Sequence, residues 1–166
     1  MPQDNKPQIP RCVTALSPRY RACYPSLMRL ALILTIFATT DNAWTFTPAP
    51  VCTLQHATDT ATLTITNDPD RAQPYRLDIT RDAPFAPAPV FALDFGGFAI
   101  STNRHALSPD ARTLSVSDRG FGNVLSGLEA GTGAGARLGD MVEAFPTEEA
   151  APAVRAFRDC PQSALS

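Results

Sequence analysis

Proline constrains this chain more than any other residue, because 16 of its 166 residues are prolines. A proline removes a backbone donor and clashes with the preceding helical turn, so the sequence argues against long helices. Short segments between the prolines alternate apolar with polar residues, as in Thr62–Thr66 and Tyr75–Thr80. Alternation with a period of two is typical of strands that bury one face. The pattern therefore predicts a mainly β protein built from short strands.

The clearest local signal is a hairpin around Gly96-Gly97. A two-residue turn at these glycines would place Leu93 opposite Ile100 and Phe95 opposite Phe98. Residues that face each other across an antiparallel pair share one face of the sheet, so the apolar residues would lie together. The sequence therefore predicts a register that a slip of one residue would destroy.

The second half of the chain contains less regular patterns. Residues 121–128 carry apolar side chains, but their glycines argue against a regular helix, and residues 131–136 predict a flexible loop. The C-terminal segment predicts a helix, with Pro152 in its first turn and Val154, Phe157 and Cys160 spaced three residues apart. Five or six strands and one terminal helix predict an antiparallel β-sandwich or small barrel with a short C-terminal helix.

An apolar run at Leu30–Ala38 follows Arg29 and precedes small and polar residues up to Ala43. These are the parts of a secretory signal peptide. The run is shorter than the roughly 20 residues that cross a bilayer, which disfavours a transmembrane anchor; a buried core helix is the other alternative. We expect cleavage after Ala43, with Thr40 as the alternative.

The domain boundaries follow from this signal. Residues 28–43 are interpreted as the signal peptide, and residues 1–27 as an over-called N-terminal extension, the alternative being an unusually long leader. Residues 44–166 are then expected to form a single β-rich domain that is periplasmic or secreted.

Cys52 and Cys160 are the two cysteines of the predicted domain. In an oxidising compartment such a pair normally forms a disulfide bond. The alternative is a reactive thiol or a redox pair, but neither cysteine has basic neighbours or a C-x-x-C spacing. We therefore expect a structural disulfide between the first strand region and the last helix.

The predicted domain is acidic, with nine arginines, no lysine and fourteen acidic residues over 44–166, a net charge of −5. An acidic domain has no electrostatic reason to bind phosphate backbones, and it lacks a basic patch for anionic lipid. The sequence therefore predicts neither a nucleic-acid partner nor a stable membrane anchor. An envelope protein or a small ligand is the expected partner.

Residues 131–136 (GTGAGA) match the dinucleotide-binding pattern G-x-G-x-x-A. That motif functions only between a strand and a helix of a βαβ unit, and no buried strand is expected before Gly131. We therefore expect no cofactor.

Two histidines, His56 and His105, are the candidates for chemistry. Asp59 near His56, or Asp110 near His105, would supply only two of the three protein ligands of a catalytic zinc ion, so no metal site is expected.

A serine hydrolase set could combine Ser101 or Ser108 with His105 and Asp110. No G-x-S-x-G nucleophile motif accompanies these residues, and proximity in sequence does not establish triad geometry. No catalytic residue is therefore assigned.

The most distinctive polar segment is Asp118–Asn123. It is either a tight turn, in which glycine supplies the positive φ and the flanking polar side chains bond to the backbone, or a ligand-binding loop. In the second interpretation Arg119 would bind an anion, Phe121 would be exposed for contact, and Asn123 would complete the site.

Three stretches carry a resemblance to a known family: Trp44–Phe46 with Pro50–Leu54, Asp118–Glu129 and Phe157–Cys160. The chain resembles a family of small exported proteins from Gram-negative bacteria without established function, and the resemblance extends over nearly all of 44–166. Some members carry an excinuclease-subunit label. That label does not suit this chain, which has no G-x-x-x-x-G-K-[ST] loop for ATP and is small, acidic and predicted to be exported.

The resemblance implies no catalytic residues. The function predicted from the sequence is thus an exported, non-enzymatic periplasmic domain that serves as a binding or accessory module of the cell envelope. The alternative is a small secreted hydrolase that uses His105.

Overall fold

The computed structural model of the protein describes residues 43–160. The predicted N-terminal extension (1–27) and all but the last residue of the predicted signal peptide (28–43) lie outside the described residues. The described part contains two antiparallel sheets that are not closed into a barrel, and two short helices. The predicted mainly β class, the sandwich and the C-terminal helix are confirmed.

The elements follow one another in the order β1 (Thr45–Thr47), β2 (Cys52–Ala57), β3 (Ala61–Asn67), β4 (Tyr75–Arg81), β5 (Phe91–Asp94), β6 (Ala99–Thr102), β7 (His105–Leu107), β8 (Thr113–Asp118), α1 (Gly122–Glu129), β9 (Ala134–Leu138), β10 (Met141–Phe145) and α2 (Ala151–Arg158). One sheet has six strands in the order β1-β2-β3-β4-β8-β7. The other has four in the order β10-β9-β5-β6. Within the described residues there are thus ten strands rather than the predicted five or six.

The alternating segments bury the residues that their sequence predicts. Leu63 faces Ile79, and Ile79 faces Leu114, so that one apolar row crosses three strands of the larger sheet. All three side chains are fully buried. Cross-strand rows of this kind are the unit that stabilises a sheet. Because side chains alternate along a strand, the threonines that lie between the apolar residues of β3 face outward.

The predicted hairpin is confirmed in its register. Leu93 pairs with Ile100, and the N–H of Phe95 donates to the carbonyl of Phe98 over 2.9 Å, which closes the turn at Gly96-Gly97. Gly96 has a φ of +78°, a conformation that glycine adopts without steric cost.

The expectation that residues 121–128 do not form a regular helix is wrong. They lie in and directly before α1, where Phe121, Val124, Leu125 and Leu128 are buried. Their spacing of three, four and seven residues is that of one helical face. The glycine at position 127 does not break the helix, because its missing side chain lets α1 approach the ring of Phe95.

The expectation of a flexible loop at 131–136 is also wrong. Gly131 and Gly133 adopt positive φ in a tight turn, and the strand β9 begins at Ala134. The turn is held by Thr147, whose hydroxyl accepts the N–H of Gly133 at 2.7 Å. Two of the three inward positions of β9 are alanines, Ala134 and Ala136, and their low hydrophobicity conceals the alternation in the sequence.

The helix α2 covers one side of the sandwich and contacts α1, β1 and β2. Its residues Val154 and Phe157 are buried, as the spacing predicts. The side chains of Cys52 and Cys160 meet as a disulfide pair, with their Cα atoms 6.4 Å apart, and so connect the beginning of β2 to the end of α2. Neither eight-residue helix could cross a membrane.

Candidate functional site

The predicted ligand loop joins β8 to α1. Asp118 ends the strand, and its carboxylate accepts the backbone N–H of Arg119 at 2.6 Å, as the tight-turn interpretation predicts. The positive φ that this interpretation assigns to glycine is wrong, because neither Gly120 nor Gly122 adopts one. Phe121 directly precedes the helix. It is only 6% exposed and packs against Tyr75 with ring centroids 5.7 Å apart. The expectation of an exposed Phe121 is therefore wrong, because this side chain belongs to the wall of the sandwich.

A cavity of about 480 Å³ opens next to this loop, between the two sheets. Its volume falls in the range of small-molecule sites. Apolar side chains from both sheets and from α1 form its walls: Leu77, Phe91, Leu93, Ile100, Val116, Phe121 and Val124. The cavity is thus an unfilled part of the space between the sheets, at the end where β8 passes into α1.

Polar groups surround the same cavity. Ser101, Thr102 and Arg104 contribute from β6 and the residues after it, while Asp118 contributes from the end of β8 and Asn123 from α1. An apolar interior with a few polar groups is the usual composition of a ligand site, in which the polar groups orient the ligand. The cavity can therefore accept an apolar group of a ligand while its polar residues hydrogen-bond to a polar group of the same ligand.

The three predicted binding residues do not share one site. Phe121 and Asn123 line the inter-sheet cavity, whereas Arg119 lines a separate surface groove with Arg71 and Arg76. The other two arginines that line this groove form ion pairs: Arg71 pairs with Asp68 and Arg76 with Asp78, each at 2.8 Å. Arg119 therefore lies on a different face from the cavity, and its predicted anion-binding role stays a prediction.

His105 lies at the start of β7, opposite Val116, with its ring 6.4 Å from that of Phe91. Its Nδ1 atom is buried and has no hydrogen-bond partner among residues 43–160.

The hydroxyl of Ser108 donates to Asp110 at 2.5 Å instead of to His105. This hydrogen bond is also the main reason why the pKa of Asp110 is lowered. The structure therefore does not assemble Ser108, His105 and Asp110 into a relay.

His56 is 1% exposed and belongs to the core. Its ring stacks on Trp44 at a centroid distance of 4.8 Å and meets Phe145 edge-on at 6.3 Å. Neither ring nitrogen has a hydrogen-bond partner within the described chain. Burial is the main cause that lowers the pKa of His56. The backbone of Ala43, which is near the ring but outside hydrogen-bond geometry, offsets only part of this effect.

This buried imidazole leads to a prediction about pH. Because the pKa of His56 is lower in the folded protein, the unfolded chain takes up the proton first as the pH falls below about 6.5. The free energy of unfolding should then decrease by up to about 1.4 kcal/mol per pH unit until the folded-state pKa is reached. His56→Phe, which keeps an aromatic ring on Trp44, should remove this part of the acid sensitivity.

Urea unfolding of both proteins at several pH values between 7.5 and 5 measures the effect. The carboxylates contribute equally to both proteins, so the difference between the two pH profiles isolates His56. Parallel profiles would contradict the prediction.

Metal and dinucleotide sites find no support in the part of the chain that the structure describes. No three His, Cys, Asp or Glu side chains converge among residues 43–160. The glycines at 131 and 133 follow a helix and precede a strand, which is the reverse of the order in a dinucleotide-binding turn.

Comparison with known proteins found no matching family model, no matching curated protein and no matching solved structure. The resemblance to the exported Gram-negative family stays a prediction from the sequence.

Proposed function

We propose that this protein is a non-enzymatic binding module of the bacterial cell envelope that receives an apolar group of its ligand in the inter-sheet cavity. The cavity is the observation that carries the proposal. Its apolar walls would favour binding by about 25 cal/mol for each Å² of apolar ligand surface removed from water. Its polar residues Arg104 and Asn123 would orient the ligand.

The envelope location rests on the sequence, which predicts a signal peptide at 28–43. The pairing of Cys52 with Cys160 supports it, because disulfides persist mainly in oxidising compartments. A periplasmic binding module would meet small amphipathic molecules and the exposed segments of envelope proteins there.

A fluorescent amphipathic anion, 1-anilinonaphthalene-8-sulfonate, tests the cavity directly. We expect it to bind the folded protein with increased fluorescence and to raise the melting temperature, since a ligand that binds only the folded state stabilises it. Ile100→Trp should weaken binding by at least about tenfold, because the indole would occupy the cavity that Ile100 lines.

The matched control is Val142→Trp, which adds the same side chain at a position that is 56% exposed on β10 and away from the cavity. This variant should bind as the unmodified protein does. Equal loss in both variants, or fluorescence without any rise in melting temperature, would refute binding in the cavity.

A further inference from the structure

Four strands form the edges of the two sheets: β1 and β7 in the larger sheet, β6 and β10 in the smaller one. Natural edge strands are usually protected by shortness, charge or proline. β1 and β7 have three residues each, and prolines follow closely at Pro48 and Pro109. β10 carries Glu143 and is followed by Pro146. β6 (Ala99–Thr102) has four residues with neither a charge nor a proline, so it is the least protected edge in the described chain.

On its free side, the backbone of β6 has hydrogen-bonding groups that no residue of 43–160 uses. Phe95 and Phe98 form a hydrogen-bonded pair, and bonded pairs alternate with non-bonded ones along an antiparallel ladder. The backbone groups of Ile100 therefore point to β5, whereas those of Ala99 and Ser101 point away from it. The side chain of Ile100 faces inward, because its partner Leu93 is buried.

The free side of β6 is continuous with the cavity. Ile100, Ser101 and Thr102, three consecutive residues of the strand, all line it. Across the cavity, the last pair between β7 and β8 is His105 with Val116, so no described residue pairs with Ser117 on that side. The two sheets thus leave an open seam between β6 and the end of β8, with the cavity beneath it.

We propose that an extended segment of another polypeptide adds to β6 as a fifth strand of the smaller sheet, with one apolar side chain in the cavity. An acidic side chain of the same segment would lie at Arg104, which is exposed and forms no ion pair with any residue of 43–160. Asp118 is the one carboxylate among residues 43–160 that lines the cavity, and it accepts a hydrogen bond from the backbone of Arg119 rather than pairing with Arg104. This inference rests on the proposed function and names its partner class. Strand addition is an established mode of peptide recognition.

A second copy of this chain fits the edge less well. Pairing through four residues would bury far less than the roughly 1,200 Å² of a stable interface. In addition, the inward side chains of β6 in the second copy would already line the cavity of that copy, so they could not enter the cavity of the first. A free peptide strand has no such restriction, because both of its faces are unoccupied.

The experiment selects binders to the purified protein from a displayed library of random linear peptides of about twelve residues. We expect the selected peptides to alternate apolar with polar residues and to contain an acidic one. N-methylation of backbone amides at alternate positions should weaken the best peptide by at least about tenfold, because strand addition depends on main-chain hydrogen bonds. Arg104→Gln should weaken acidic peptides more than variants of them without the acidic residue.

Ser101→Pro provides the protein-side test. It removes an N–H that points to the free edge and leaves the bonds to β5 in place, so we expect a folded protein that no longer binds the peptide. Ala144→Pro is the matched control, because Ala144 lies on β10 at the corresponding non-bonded position of the opposite edge. The Ala144→Pro variant should bind the peptide as tightly as the unmodified protein does.

Several results would overturn the proposal: no binder from the library, binders that tolerate N-methylation at every position, or equal loss in both proline variants. A protein that sediments as a dimer through β6 would overturn it as well. If Ser101→Pro does not fold, the N-methylation series decides alone. Binding of the fluorescent anion in the absence of any peptide binder would reject strand addition while retaining the cavity as a ligand site.

Discussion

Replacing Cys52 and Cys160 by alanine should lower the free energy of unfolding by about 4 kcal/mol. The two residues are separated by 108 positions, and closing a loop of about a hundred residues stabilises a protein by roughly 4–5 kcal/mol in the loop-entropy model. Domain stability is typically only about 5–15 kcal/mol, so this is a large part of the total. The tether also holds α2, whose Phe157 packs against Phe46 with ring centroids 6.3 Å apart.

Urea unfolding of the unmodified protein and of the double variant, each with and without a reducing agent, measures this effect. The unmodified protein should lose stability on reduction to the level of the variant, and the variant should not respond. A double variant within about 1 kcal/mol of the unmodified protein would show that the pair does not constrain the unfolded chain.

Gly127→Ala should destabilise the protein by about 2 kcal/mol, although alanine is the better helix former. A Cβ atom at position 127 would lie 2.6 Å from the ring of Phe95. That ring is 2% exposed and cannot move into solvent, and the carbonyl of Phe95 is held by the hydroxyl of Thr132 at 2.7 Å. Overpacking of this kind typically costs about 1–3 kcal/mol.

Gly122→Ala is the matched control in the same helix. A Cβ atom at position 122 would have no neighbour within 4 Å, so the substitution should be neutral or stabilise the protein by up to about 1 kcal/mol. Melting temperatures and urea midpoints of both variants test the pair. Equal effects at the two positions would contradict the close packing of α1 on Phe95.

The candidate site was only partly predictable. The segment Asp118–Asn123 is distinctive in sequence, and two of its three predicted residues, Phe121 and Asn123, do line the cavity. Arg119 does not, because it lies on the other side of the turn. The cavity residues from β5 and β6 could not be associated with this loop, since nothing in a linear sequence states which parts of two sheets face each other.

Local chemistry explains what the sequence by itself determined. Alternation placed Leu63 and Ile65 inside β3, the Gly-Gly turn set Leu93 opposite Ile100, and a single pair of cysteines left one connectivity. The alternation and the turn depend only on residues that are close together in the sequence, and two cysteines can form only one disulfide. The sequence therefore determined the class of fold, the hairpin register and the predicted disulfide.

Only the tertiary structure decided the elements that depend on distant contacts. Glycine disfavours a helix locally, yet α1 forms because Gly127 allows contact with Phe95, and β9 is a strand because β5 and β10 pair with it on both sides. The cavity and the open edge of β6 likewise arise where two sheets end without meeting. Burial and pairing between residues far apart in the chain outweigh local preference, and for that reason the binding surface became visible only in the folded protein.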